Sequence, residues 1–79
     1  RPELDLRGME SGDAVIAVDR YIDSARMAKL KTVTIIHGKG TGALRAAVHK
    51  NLKDSKYVKK CRLGNFGEGD AGVTVVELK

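Results

Sequence analysis

Residues 32–45 read Thr32-Val33-Thr34-Ile35-Ile36-His37-Gly38-Lys39-Gly40-Thr41-Gly42-Ala43-Leu44-Arg45. The first five form a compact β-branched run, expected of a strand covered on both faces or nearly so. A loop with three glycines follows at once. From Ala43 the apolar spacing changes, and Leu44, Ala47, Val48 and Leu52 fall on one stripe of a helix predicted over 43–54. A strand that passes through a glycine loop into a helix is the central joint of an α/β domain.

Working outward, Leu4-Asp5-Leu6-Arg7 alternates apolar and polar residues and meets Gly8, which predicts a short strand ending at a turn. From Ser11 to about Lys31, Val15, Val18, Ile22 and Ala25 recur at helical spacing, widened by Ala14, Tyr21 and Ala28. Ser11 is the expected N-cap, and Asp13 suits the first turn. Tyr57 to Leu63 and Val73 to Leu78 read as two further strands. The order is β-α-β-α-β-β. Helical crossovers favour parallel pairing among the first three strands, and the glycine-rich connection 64–72 lets the last return antiparallel. The expected architecture is a two-layer α/β sandwich, a mixed four-stranded sheet with two helices. If the sheet grows in one direction the helices share a face and leave the other partly open.

With 79 residues the chain forms one domain, 1–79, with a modest core. It opens on Arg1 and reads as a fragment of a larger protein. One cysteine, Cys61, excludes an internal disulfide, and two histidines with one cysteine are too few for a structural zinc site. No apolar run approaches the roughly 20 residues that span a bilayer. The expectation is a module of a reducing compartment, the cytoplasm, without a membrane partner.

The formal net charge is +5, unevenly placed. Residues 26–62 hold eleven Lys and Arg against one acid, Asp54, while the rest of the chain holds four against nine. A basic middle between acidic ends implies one positive face, suited to phosphate backbones through counterion release. The competing reading is a solvated lysine surface.

The loop 37–42 carries the chemistry. Its glycines permit positive φ, so successive N–H groups can form an anion nest, and the following helix adds its positive N-terminal end. Lys39 adds a full charge, and Arg45 lies one turn into the helix. A Walker loop is excluded, since no Gly-Lys-Ser/Thr closes it. Gly38, Gly40 and Ala43 fit G-x-G-x-x-A, but a chain this short has no room for two mononucleotide-binding halves, which leaves a dinucleotide enzyme disfavoured. Alternation puts Asp5 and Arg7 on one side of the first strand, at the rim where His37 leaves the second. Asp5, Arg7, His37 and Lys39 then make a kit for phosphodiester cleavage: a carboxylate to act as base or hold a metal, an imidazole, and two cations for the charge on phosphorus. The alternative is a surface ion pair beside an unrelated histidine. His49 is expected solvated, opposite the buried stripe, where it would touch phosphate. Phe66, in a loop, is the aromatic expected to meet a base, and Tyr21 belongs to the core stripe. Glu68 and Asp70 could complete a Mg²⁺ or Mn²⁺ site with Asp5.

Leu4-Asp5-Leu6-Arg7-Gly8-Met9, with Ile35-Ile36-His37-Gly38-Lys39-Gly40-Thr41-Gly42-Ala43-Leu44-Arg45, resembles the Smr (small MutS-related) domain. The ending Gly67-Glu68-Gly69 to Gly72-Val73-Thr74-Val75-Val76-Glu77-Leu78 is similar to the copy at the C-terminus of the second bacterial MutS paralogue. The resemblance covers essentially the whole chain. It implies a two-layer fold akin to the C-terminal domain of a bacterial translation initiation factor. It also implies a nicking endonuclease with little sequence preference, attached to an ATPase that recognises branched DNA and restrains recombination, in the bacterial cytoplasm at the nucleoid. Some relatives act on RNA or the ribosome. The family motifs fall on Asp5 and Arg7, and on His37, Gly38, Lys39 and Gly40. Many stand-alone members carry His in place of Arg7.

Two functions follow. In the first, the loop and helix N-terminus (Gly38, Gly40, Thr41, Gly42, Arg45, with His49 and Phe66 outside) hold DNA while Asp5, Arg7, His37 and Lys39 cut one strand. In the second, the same surface binds structured RNA or the ribosome without chemistry.

Overall fold

The structure, a computed structural model, describes residues 2–79. Its elements are β1 (Glu3–Asp5), α1 (Ser11–Met27), β2 (Thr32–Ile36), α2 (Ala43–Lys53), β3 (Val58–Leu63), a single 3₁₀ turn (Asp70–Gly72) and β4 (Val73–Leu78). This is the expected β-α-β-α-β-β order in a mixed four-stranded sheet. The spatial order is β1-β2-β4-β3. β1 pairs parallel to β2, and β4 runs antiparallel to both β2 and β3, so the first three strands share one direction. Insertion of β4 between β2 and β3 could not be read from the pattern, because any strand order with a covered β2 satisfies the same apolar run.

Both helices pack on one face of the sheet. Ala14, Val18, Ile22 and Ala25 of α1 and Val48 and Leu52 of α2 join Leu6, Val33, Ile35, Val58, Val76 and Leu78 in one core. Burying the valine, leucine and isoleucine side chains among these is worth about 1.5–3 kcal/mol each before entropy is counted. The opposite face is less open than expected. Thr34, Val73 and Val75 are buried there, because the 64–72 connection folds back over them. A Cβ on Gly64 would lie 2.5 Å from Val73 Cγ2, and one on Gly69 would lie 2.6 Å from Val73 Cγ1. Glu68 holds this loop, pairing with Arg62 at 2.8 Å and accepting the Asn65 N–H at 2.8 Å.

Several boundaries differ from expectation. β1 stops at Asp5, and Leu6 continues the pairing through a single N–H to the Ile36 carbonyl at 2.7 Å. β3 begins at Val58, one residue after Tyr57. Ser11 is the first residue of α1 and not its cap: Glu10 holds that place in extended conformation, without a side-chain cap bond. α1 ends at Met27, short of Lys31, since Lys29 adopts φ 62°. The Lys29 N–H reaches the Arg26 carbonyl and the Leu30 N–H that of Ala25, both at 3.0 Å. That pair of bonds is a Schellman ending, usually signalled by glycine, which this sequence lacks here. Ala28 is accordingly exposed. Among the described residues, no helix is long and apolar enough to cross a membrane.

Candidate functional site

Parallel pairing of β1 with β2 brings the carboxyl ends of both strands to one rim, as Asp5 opposite Ile36 shows. Beyond that rim the chain enters the glycine loop. Gly38 has φ 80°, and a Cβ there would sit 3.4 Å from Arg7 Cγ. The Arg7 stem therefore lies along the loop backbone. The first strand and the glycine loop do converge.

On the solvent side of the loop, Arg7 grips Asp5. Arg7 Nη2 donates to Asp5 Oδ2 at 2.7 Å and Nε to Oδ1 at 3.0 Å, and the Arg7 backbone N–H adds a third bond to Oδ1 at 3.0 Å. Both side chains are substantially exposed. The guanidinium bonds, then the backbone N–H, hold the Asp5 carboxyl down at about 2. So weak a base is suited to orienting a group or attracting a cation, less to taking a proton at neutral pH. Lys39 is exposed, its stem lying near Gly72, where a Cβ would be 3.6 Å from Lys39 Cγ.

At the start of α2, Gly42 takes the N-cap position with φ 89°. A Cβ there would be 3.1 Å from Arg45 Nη2, so the guanidinium folds back over the helix N-terminus. Thr41 Oγ1 accepts the Ala43 N–H at 3.3 Å. Positive helix end and cation stand together, an arrangement that favours an anion between them.

The core side of the loop holds what the pattern missed. His37 follows Ile35 on the helix-facing side and is 5% exposed. Its Nδ1 lies 2.9 Å from the Gly38 carbonyl and its Nε2 2.8 Å from Thr74 Oγ1. His49 Nε2 meets the same Thr74 oxygen at 2.7 Å. The two rings stand edge to face, centroids 6.1 Å apart. His49 is therefore half-buried against β4, correcting the expectation of a solvated side chain. The apolar stripe of α2 is wider than Val48 and Leu52 suggest, because β4 lies beneath it. Burial first, then the charges of His37, Lys53 and Arg45, lower the His49 pKa. Thr74, fully buried, stands in the closing run of the sequence, which assigned it no role. The signal was present: it alternates with Val76 and Leu78 on an apolar face, where a hydroxyl must find partners.

The 3₁₀ turn that leads into β4 anchors the loop from its backbone too. The Gly72 carbonyl accepts the N–H groups of His37 at 3.1 Å and Gly38 at 2.9 Å. Thus the expected four residues split: Asp5, Arg7 and Lys39 are exposed, and His37 is buried. The triad Asp5, Glu68 and Asp70 does not assemble. Among the described residues, no group of three His, Cys, Asp or Glu could hold a metal ion. Glu68 is committed to Arg62 and Asn65, and Asp5 to Arg7. These residues do not form a protein cage for Mg²⁺ or Mn²⁺. Phe66 is 96% exposed in the 64–72 loop.

Residues 4–79 match the family model described as the Smr domain. The chain is 58% identical over 77 residues to Endonuclease MutS2 of Caldanaerobacter subterraneus subsp. tengcongensis, covering 98% of this chain and 10% of that protein. It is 59% identical over 76 residues to Endonuclease MutS2 of Clostridium acetobutylicum, with 96% and 10% covered. The chain thus spans about a tenth of the length of these curated relatives. The crystal structure of the Smr domain of Thermus thermophilus MutS2 superposes with a TM-score of 0.98 at 43% identity, covering 100% of this chain and 99% of that one. YdaL, a stand-alone small MutS-related protein from Escherichia coli, gives 0.92 at 25% identity, covering 98% and 63%.

Proposed function

This chain belongs to the Smr domain family, and from that premise we propose that it is a nicking endonuclease domain: it hydrolyses phosphodiester bonds in one strand of DNA with little sequence preference. The parent chain would join it to an ATPase that recognises branched DNA, in restraint of recombination or in repair. Relatives sharing well over half of its residues are named endonucleases. The observation that carries the reading is the meeting of Arg7 with Gly38, which sets the exposed Asp5–Arg7 pair against the glycine loop.

In this reading the loop amides of Gly40 and Gly42, the N-terminus of α2, Thr41 and Arg45 hold the phosphate, while Gly38, its own N–H held by the Gly72 carbonyl, sets the turn. Arg7 and Lys39 stabilise the charge that develops on its oxygens. Asp5 orients the attacking water, and His37 serves as the proton-transferring imidazole behind the loop.

The test is nicking of supercoiled plasmid by the purified chain with Mg²⁺, with Mn²⁺ and with EDTA. An isolated Smr domain of the same extent has been crystallised, so the chain is suited to study alone. Relaxed circles are expected, and they should disappear with Asp5→Ala and Arg7→Ala while plasmid binding persists. Full cleavage by both variants would overturn the assignment. Persistence in EDTA would show that the reaction proceeds without a divalent cation.

A second reading, a binding module for structured RNA or the ribosome, is favoured by one observation: both His37 nitrogens are engaged and Asp5 is locked to Arg7. Intact plasmid, shifted in a gel, would support it.

A further inference from the structure

The groups on the core side of the loop are joined in one direction. The Gly38 carbonyl can only accept, so His37 Nδ1 at 2.9 Å carries the hydrogen. In the neutral ring Nε2 is then bare and accepts the Thr74 hydroxyl at 2.8 Å. Having given its one proton, the Thr74 oxygen accepts from His49 Nε2 at 2.7 Å, so that nitrogen is an N–H. The inventory admits no other order while His37 is neutral. The chain lies inside the fold, with Thr74 0% and His37 5% exposed, where water cannot replace a lost partner.

Resting on the cleavage reading, we propose that Thr74 and His49 are positioning residues for it: acting through His37, they fix the imidazole as its Nδ1–H tautomer, with that hydrogen on the glycine-loop side. The consequence for the reaction is directional. In this tautomer His37 gives the loop a hydrogen-bond donor and gives its lone pair to Thr74, so the neutral ring takes no proton on the loop side and can release one there only after gaining one at Nε2. The same donor holds the Gly38 carbonyl, while the Gly72 carbonyl holds the His37 and Gly38 amides. The segment entering β4 therefore sets the loop from its backbone at Gly72 and from the Thr74 side chain two residues later. His49 can gain a second proton at Nδ1 without disturbing its bond to Thr74, although Arg45 and Lys53 on its own helix and His37 across from it oppose that charge. The chain of bonds is thus a fixture of the loop and does not depend on His49 being neutral.

The experiment reads imidazole nitrogen NMR and plasmid nicking on the same 79-residue chain. It compares Thr74→Ser with Thr74→Val, and His49→Gln with His49→Ala. Wild type is expected to show the hydrogen of neutral His37 on Nδ1. Serine and glutamine, which keep a hydroxyl and a donor, should retain that tautomer and nick within about twofold of wild type. Valine and alanine should lose the single tautomer, with kcat down by about tenfold or more and KM for plasmid within about twofold. Thermal melts check folding; should Thr74→Val unfold, the His49 pair carries the comparison. A wild-type His37 with its hydrogen on Nε2, or a valine variant that nicks at the wild-type rate, overturns the inference. So does a serine variant that fails as badly as valine. Absence of nicking by wild type instead overturns the cleavage reading, and the NMR arm reports the tautomer separately.

Discussion

Asp5 and His37 occupy opposite environments although the chain brings them to one rim. Asp5 is exposed and held as an anion by Arg7, which commits it to a low pKa of about 2. His37 is buried beneath the loop with both nitrogens engaged. Their residue types were legible in the sequence; the split was not, because alternation along a three-residue strand says which side a residue takes but not what covers it. The sequence reading also reversed the side of His49. Burial and the charges of His37, Lys53 and Arg45 put its folded pKa below the ordinary 6.5. The unfolded chain therefore binds the extra proton first as pH falls. Stability contributed by neutral His49 is fully present above about pH 6.5 and is lost as pH drops through the folded pKa. Thermal melts should accordingly show a lower Tm at pH 5 than at pH 7, and a smaller drop in His49→Gln. An equal drop in the two proteins would contradict this account.

Among the elements, α1 departs most from its sequence pattern. Apolar spacing carried the helix to about Lys31, whereas it closes at Met27 through left-handed Lys29. A Cβ in that conformation costs about 1 kcal/mol, a strain the Schellman bonds and the seating of Leu30 against the core offset. Lys29→Gly removes the strain without touching either bond. It should raise the unfolding free energy by about 0.5–1 kcal/mol in urea titration, with no change in nicking. A destabilised variant would show that the lysine stem contributes more than its backbone costs. α2 was more legible, since three glycines and a change of period mark its start. What escaped the pattern was the width of its buried face, which depends on the strand below it.

At the scale of the whole molecule, the basic segment 26–62 and the loop set the electrostatics. Eleven of fifteen Lys and Arg lie there with one acid, but not all are free to meet a phosphate. Arg26 is paired with Asp23, Lys60 with Glu77 and Arg62 with Glu68. Lys39 of the loop and Arg45 of α2 remain the candidates for direct contact. If each neutralises one phosphate, Lys39→Ala and Arg45→Ala should each lower the slope of log K against log salt by about 0.9 on duplex DNA. Phe66→Ala should weaken binding to single-stranded DNA and leave that slope unchanged, since stacking releases no counterion. Unaltered slopes in both cation variants would place the phosphate contacts elsewhere on the surface.

By itself the sequence determined the class of fold, the element order and the place of the glycine loop between β2 and α2. Those follow from periodicity and from glycine's freedom at positive φ, both local properties. Only the tertiary structure decided that β4 enters between β2 and β3. That insertion places Thr74 between His37 and His49 and the Gly72 carbonyl against the loop. Strand order is a long-range choice among arrangements that bury the same apolar residues. The hydrogen bonds that distinguish it join residues 25 to 37 positions apart, beyond the reach of any repeating pattern.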